Sequence, residues 1–92
     1  MYFITTIDTM ENDTRCVGYF KTFEEAENVV LNNICDIWET CYDYVVIENI
    51  KDGIYRYDDN PKWYTWNYDE QKYEKTEKIP GIYQDQIGFA IG

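Results

Sequence analysis

The 92-residue chain contains no histidine and no serine. Without an imidazole there is no general base of the commonest kind, no Ser-His or Cys-His nucleophile pair, and no histidine to ligate a metal. The glycines, Gly18, Gly53, Gly81, Gly88 and Gly92, are scattered, so no phosphate loop is present. The cysteines are odd in number, Cys16, Cys35 and Cys41, with no Cys-x-x-Cys spacing. That excludes a disulfide framework and, with no histidine, a zinc site. They read as small apolar residues of a reducing compartment. Basic residues are scarce: 8 Lys and Arg face 18 Asp and Glu, a net charge of −10, which rules out a phosphate-neutralising nucleic-acid surface. No apolar run approaches the ~18 residues of a membrane span, and the N-terminus lacks a basic signal-peptide region. The expectation is a soluble, cytoplasmic protein with no membrane contact.

Carboxylates are abundant, yet their spacing supports little chemistry. Asp52, Asp58, Asp59, Asn60, Asp69 and Glu70 do not form a twelve-residue calcium loop, and solvated loop acids explain them. Glycosidase chemistry needs two carboxyls about 5–10 Å apart in a sugar-sized cleft. A chain this short rarely builds both cleft and core. We expect no enzyme, no cofactor and no metal.

What is present is apolar and aromatic material: 45% hydrophobic residues and 18% aromatic, too much for a disordered acidic tail. Residues 1–92 read as a single domain. Residues 2–7 suit a strand, 8–14 a hairpin loop and 15–20 a second strand. Thr22-Phe23-Glu24-Glu25 matches a capping box and opens a helix. Apolar residues then recur at Phe23, Ala26, Val30, Ile34, Ile37, Trp38 and Cys41 with helical period, and the phase survives Asn32-Asn33. This predicts one helix over 23–42, with a break at the two asparagines as the alternative. Residues 44–50 read as a strand, 51–53 as a turn, 54–57 as extended and 58–61 as a loop. Residues 63–67 and 71–75 form a hairpin across 68–70, and 87–91 a last strand. The fold class is α+β, with one long amphipathic helix packed on an antiparallel sheet, in the order β-β-α-β followed by short strands and a hairpin.

The predicted helix carries a second stripe. Glu25, Asn28, Asn32, Asp36, Glu39 and Asp43 lie opposite the apolar residues. No Lys or Arg occurs from Thr22 to Ile50, a stretch with seven acids. A solvated face accounts for this pattern. The alternative is a docking surface of Asp36, Glu39 and Asp43, supported by Glu25, Asp58 and Asp59, which attracts a basic channel of the kind that binds nucleic acid. Trp63, Tyr64, Trp66, Tyr68 and Tyr73 form an aromatic group. Cross-strand packing explains it, and exposed members would serve as interface anchors. Alternatively Trp63, Tyr64 and Trp66 stack a nucleobase, with Arg56, Lys62 or Lys72 near its phosphates.

The run from Arg15 to Glu27, a strand ending Gly18-Tyr19-Phe20 followed by Thr22-Phe23-Glu24-Glu25-Ala26, together with Val45-Val46-Ile47-Glu48 and Ile54-Tyr55, resembles small acidic proteins encoded by phages and mobile elements. The resemblance covers residues 1–57 and carries over no functional residue. It implies an accessory protein of a mobile element, a class that includes inhibitors of host defence, and for a phage-encoded protein the site of action is the host cytoplasm. The leading expectation is a non-enzymatic inhibitor that binds a basic, nucleic-acid-handling protein without contacting nucleic acid itself, in its sharpest form an anti-CRISPR protein. A sponge holding a small nucleotide signal between aromatics is the second reading, and a homo-oligomer, such as a homodimer through the aromatic hairpin, the third.

Overall fold

The structure is a computed structural model and describes residues 1–10, 13–34, 43–53, 60–77 and 79. Its elements are β1 (Tyr2–Asp8), β2 (Asp13–Phe20), α1 (Phe23–Leu31), β3 (Tyr44–Asn49), β4 (Lys62–Asn67) and β5 (Lys72–Thr76). The five strands form one antiparallel sheet in the order β2-β1-β3-β4-β5, with one helix packed on it. The order among the described residues is β-β-α-β-β-β, which differs from the expected one in its short helix and in β4 and β5 coming next after β3. The extended segment expected at 54–57 and the last strand expected at 87–91 lie outside the described residues.

β3 is central, and its Val45, Val46, Ile47 and Glu48 are all buried. A β-branched strand buried on both faces needs no alternation, which explains the continuous apolar run. Strand pairing sets the helix-facing side. Ile4 lies opposite Ile47, Val45 opposite Tyr64, and Trp66 opposite Tyr73. These residues meet Ala26 and Val30 of α1 in the core, and Trp66 packs against that cluster. Ile4 pairs with Gly18 but Thr5 with Cys16, so Val17 is an extra residue. The bulge brings Val17 against the same core.

α1 starts as its sequence dictates. Thr22 is extended, its hydroxyl accepts from the Glu25 amide at 3.3 Å, and it donates to the Glu25 carboxylate at 3.0 Å. The helix ends after nine residues, so the single rod over 23–42 is corrected. Asn32 Nδ2 donates to the Asn28 carbonyl at 2.7 Å, a side chain competing for a helical acceptor. Asn33 then turns left-handed, with φ 55°, and its amide bonds the Val30 carbonyl at 3.0 Å. Left-handed backbone at this place is a common helix stop, and Asn tolerates it better than most residues. The apolar phase continues across Asn32-Asn33 while the backbone does not.

Asn33 Oδ1 is buried without a hydrogen-bond partner among the described residues. Asn33→Gly therefore raises stability by a few tenths of a kcal/mol, whereas Asn33→Val, β-branched at positive φ, lowers it by about 1–2 kcal/mol. Urea denaturation of the two variants checks both signs.

Candidate functional site

The antiparallel register gives the sheet two distinct ends. The upper end carries Asp8 to Met10, Asp43 and the 68–71 turn. The lower end carries Tyr2, Phe20, Asn49, Lys62 and Thr76.

Asp43 organises the upper end. It does not stand on a helix face as expected. It directly precedes β3, half-buried, and its carboxylate accepts from the Thr9 amide at 2.8 Å and from the Thr9 hydroxyl. Its amide donates to the Ile7 carbonyl at 3.0 Å, and its carbonyl accepts from the Trp66 amide at 3.1 Å and the Thr65 hydroxyl at 3.3 Å. One residue thus ties β1, β3 and β4 together. The neighbouring hairpin is fixed by Asn67, whose side-chain oxygen accepts from the amides of Asp69 at 3.0 Å and Glu70 at 3.1 Å. Tyr68, Asp69 and Glu70 stand exposed at its tip, and Met10 is exposed on the other turn.

Of the other expected partner-binding acids, Glu25 is exposed in the first turn of α1. Asp36, Glu39, Asp58 and Asp59 lie outside the described residues, as does Arg56. The outward residues of α1 are Glu24, Glu25, Asn28, Leu31 and Asn32, and its last turn contains no base.

The aromatic group separates into distinct roles. Tyr64 is fully buried and its hydroxyl donates to Glu27 at 2.6 Å. It is a core residue and not an exposed ring. Burial pushes the Tyr64 phenol up, and its hydrogen bond to the negative Glu27 pushes in the same direction. Glu27 also meets Lys75 at 3.4 Å. Trp66 is half-buried and stacks edge-on against buried Tyr73, ring centroids 4.9 Å apart. Trp63 is half-buried and lines an open groove with Asn60, Pro61, Lys62, Lys75, Thr76 and Glu77. Beside this groove a smaller cleft is walled by Tyr2, Phe23, Ile47, Asn49, Asn60 and Lys62.

Nucleophilic chemistry finds little support in these positions. Burial pushes the Cys16 thiol up, and the Glu48 carboxylate adds to this, so the thiol stays protonated at neutral pH. No group of residues suited to hold a metal ion occurs among the described residues. No helix among them is long and apolar enough to cross a membrane.

Comparison with protein-family models, curated proteins and solved structures gives no match.

The lower cleft was not legible from spacing, because Tyr2, Phe23, Asn49 and Lys62 come from four separate segments. Only the strand register brings them to one end. Glu48 was missed as well: it reads as the polar residue of an alternating strand and is fully buried.

Two substitutions separate structure from surface. Asp43→Ala removes an acceptor of two bonds to a charged group, and about 1.5–3 kcal/mol of stability goes with it. Tyr64 carries a folded-state affinity for its proton above the unfolded value of about 10. Its contribution is therefore full below pH ~10 and falls as pH rises beyond it. Urea midpoints at pH 9 and 11 should show a larger loss in the native chain than in Tyr64→Phe.

Proposed function

We propose that the chain is a non-enzymatic binding protein whose acidic surface docks onto a basic, nucleic-acid-handling protein and inhibits it. The anti-CRISPR type of anti-defence protein is the sharpest form of this reading, and the host cytoplasm is its compartment. The observation that carries it is the division of labour among the described carboxylates. Glu27 and Asp43 are engaged in holding the fold. Glu24, Glu25, Asp69 and Glu70 are exposed.

The helix that carries Glu24 and Glu25 has no base anywhere along it. Glu24 and Glu25 stand in the first turn, where the helix start favours negative charge and Glu25 completes the cap, and both carry that charge on an exposed surface. A net charge of −10 directs long-range encounter toward cations. The surface consists of Glu24, Glu25, Asp69 and Glu70, with Asp36, Glu39, Asp58 and Asp59 added on sequence grounds.

Exposed Tyr68 and Met10 supply apolar contact near Asp69 and Glu70. Tyr and Met are enriched in interface centres. The two turns are separated by three strand spacings, about 14 Å, which one protein footprint spans.

The test is kinetic. A basic partner isolated from the producing cells should associate about tenfold or more slowly when salt is raised from about 0.05 to 0.5 M. Reversal of Glu24, Asp69 and Glu70 to lysine should slow association in the same way while the protein stays folded. Rates indifferent to both changes would remove the electrostatic reading.

A further inference from the structure

The chain has two methionines, and the fold places them differently. Met1 is 38% exposed and continues the β1–β3 pairing: its ammonium donates to the Ile50 carbonyl at 3.1 Å, and its carbonyl accepts from the Ile50 amide at 2.8 Å. Met10 is 91% exposed in the turn after β1. The backbone of that turn is fixed from behind. The Met10 amide donates to the Asp8 carboxylate at 3.0 Å, and Thr9 is bound to Asp43. A side chain exposed to this degree buries too little area to hold the turn itself. The turn thus presents a thioether to solvent and takes none of its order from it.

A surface thioether is a soft nucleophile that needs no deprotonation before it reacts. Cys16 is half-buried and stays protonated, so its own reaction waits on a scarce thiolate. In the docking reading above, Met10 and Tyr68 are the apolar part of the upper end. Conversion of the Met10 thioether to a sulfoxide replaces a flexible apolar group by a polar one and leaves the net charge unchanged. Long-range charge sets arrival and short-range contact sets departure, so the change acts on dissociation.

We propose that Met10 is a reversible oxidation site whose state sets how long the basic partner stays bound. The role in binding rests on the docking reading above. The oxidant is a peroxide. The sulfur lone pair attacks one oxygen of hydrogen peroxide, the S–O bond forms as the O–O bond breaks, and the second oxygen leaves as water. Sulfur gives up two electrons and the peroxide takes them. A sulfoxide reductase reverses the step: a dithiol is oxidised to a disulfide and the oxygen leaves as water. The exposure that admits peroxide also admits the reductase.

The full chain, treated with limiting hydrogen peroxide and then with dithiothreitol to restore thiols, tests this. Peptide masses should show one added oxygen at Met10 about threefold or more faster than at Met1, and methionine sulfoxide reductases A and B should remove it. The urea midpoint should not move. The oxidised chain should leave the basic partner isolated from the producing cells roughly fivefold or more faster, with association as salt-dependent as before. In Met10→Leu, peroxide treatment should alter neither rate. The site is overturned if Met10 gains oxygen no faster than Met1, if the reductases leave the added oxygen in place, or if oxidation lowers the urea midpoint. Salt-dependent association with equal dissociation of the two forms removes the role of Met10 alone, whereas association indifferent to salt removes the docking reading beneath it.

Discussion

A helix of nine residues has almost no stability in isolation, so its position here is set by what it touches. Two buried residues, Ala26 and Val30, face the sheet. Such a small apolar face would allow the helix to slide or rotate. The bond from the buried Tyr64 hydroxyl to Glu27 removes that freedom, since it joins the middle of α1 to the middle of β4 at 2.6 Å. A hydrogen bond to a charged group is worth about 1.5–3 kcal/mol, and leaving the buried phenol unpaired would cost a comparable amount. Lys75, across the β4–β5 pair from Tyr64, adds a partner to the same carboxylate. The helix is thus registered on three sides: by Phe23 against Tyr2, by Glu27 against Tyr64, and by Val30 in the core.

Fixing α1 also fixes the charge distribution. Its N-terminus stays beside Tyr2 and so beside the lysines that flank the lower strand ends. The upper strand ends meanwhile collect Asp8, Asp43, Asp69 and Glu70, with Arg15 and Lys72 as the nearby bases. Asp43 is the price of order at this end, because a carboxylate there satisfies the Thr9 amide and leaves the turn defined. The surface charge then rests on Glu24, Asp69 and Glu70, with Glu25 shared between the helix cap and the surface.

Much of this fold was legible because it rests on local rules. The capping box at Thr22 and Glu25 formed where the residues predicted, with the glutamate reaching the threonine hydroxyl. The strands at 2–7 and 15–20 and the hairpin of 63–67 with 71–75 were readable from β-branched, aromatic and turn residues, although the turn is one residue longer than 68–70 and so sets Trp66 opposite Tyr73. The helix end was not, because hydrophobic period measures which side is apolar, not whether the backbone continues. Ile34 keeps the apolar phase after Asn33 has already turned left-handed. The same error placed Asp43 on an acidic ridge. Tyr64 stood between core packing and, as the alternative, an exposed stacking ring, since strand alternation assigns two faces without saying which one the helix covers. Both outcomes are tertiary in origin: Asp43 is defined by Thr9, 34 residues away, and Tyr64 by Glu27, 37 residues away.

A net charge of −10 does not mean that every acid acts on every base. Net charge, however, governs approach from afar, and local groups govern the bound state. A six-residue strand such as β4 is about 20 Å long, more than twice the ~8 Å Debye length at physiological salt. Asp69 and Glu70, beyond its upper end, are therefore largely screened from Lys62 at its lower end. The overall charge would speed the arrival of a basic protein while leaving its residence to the acids it meets. Local spacing of charge along the strand direction, and not the total, decides which groups a bound partner feels.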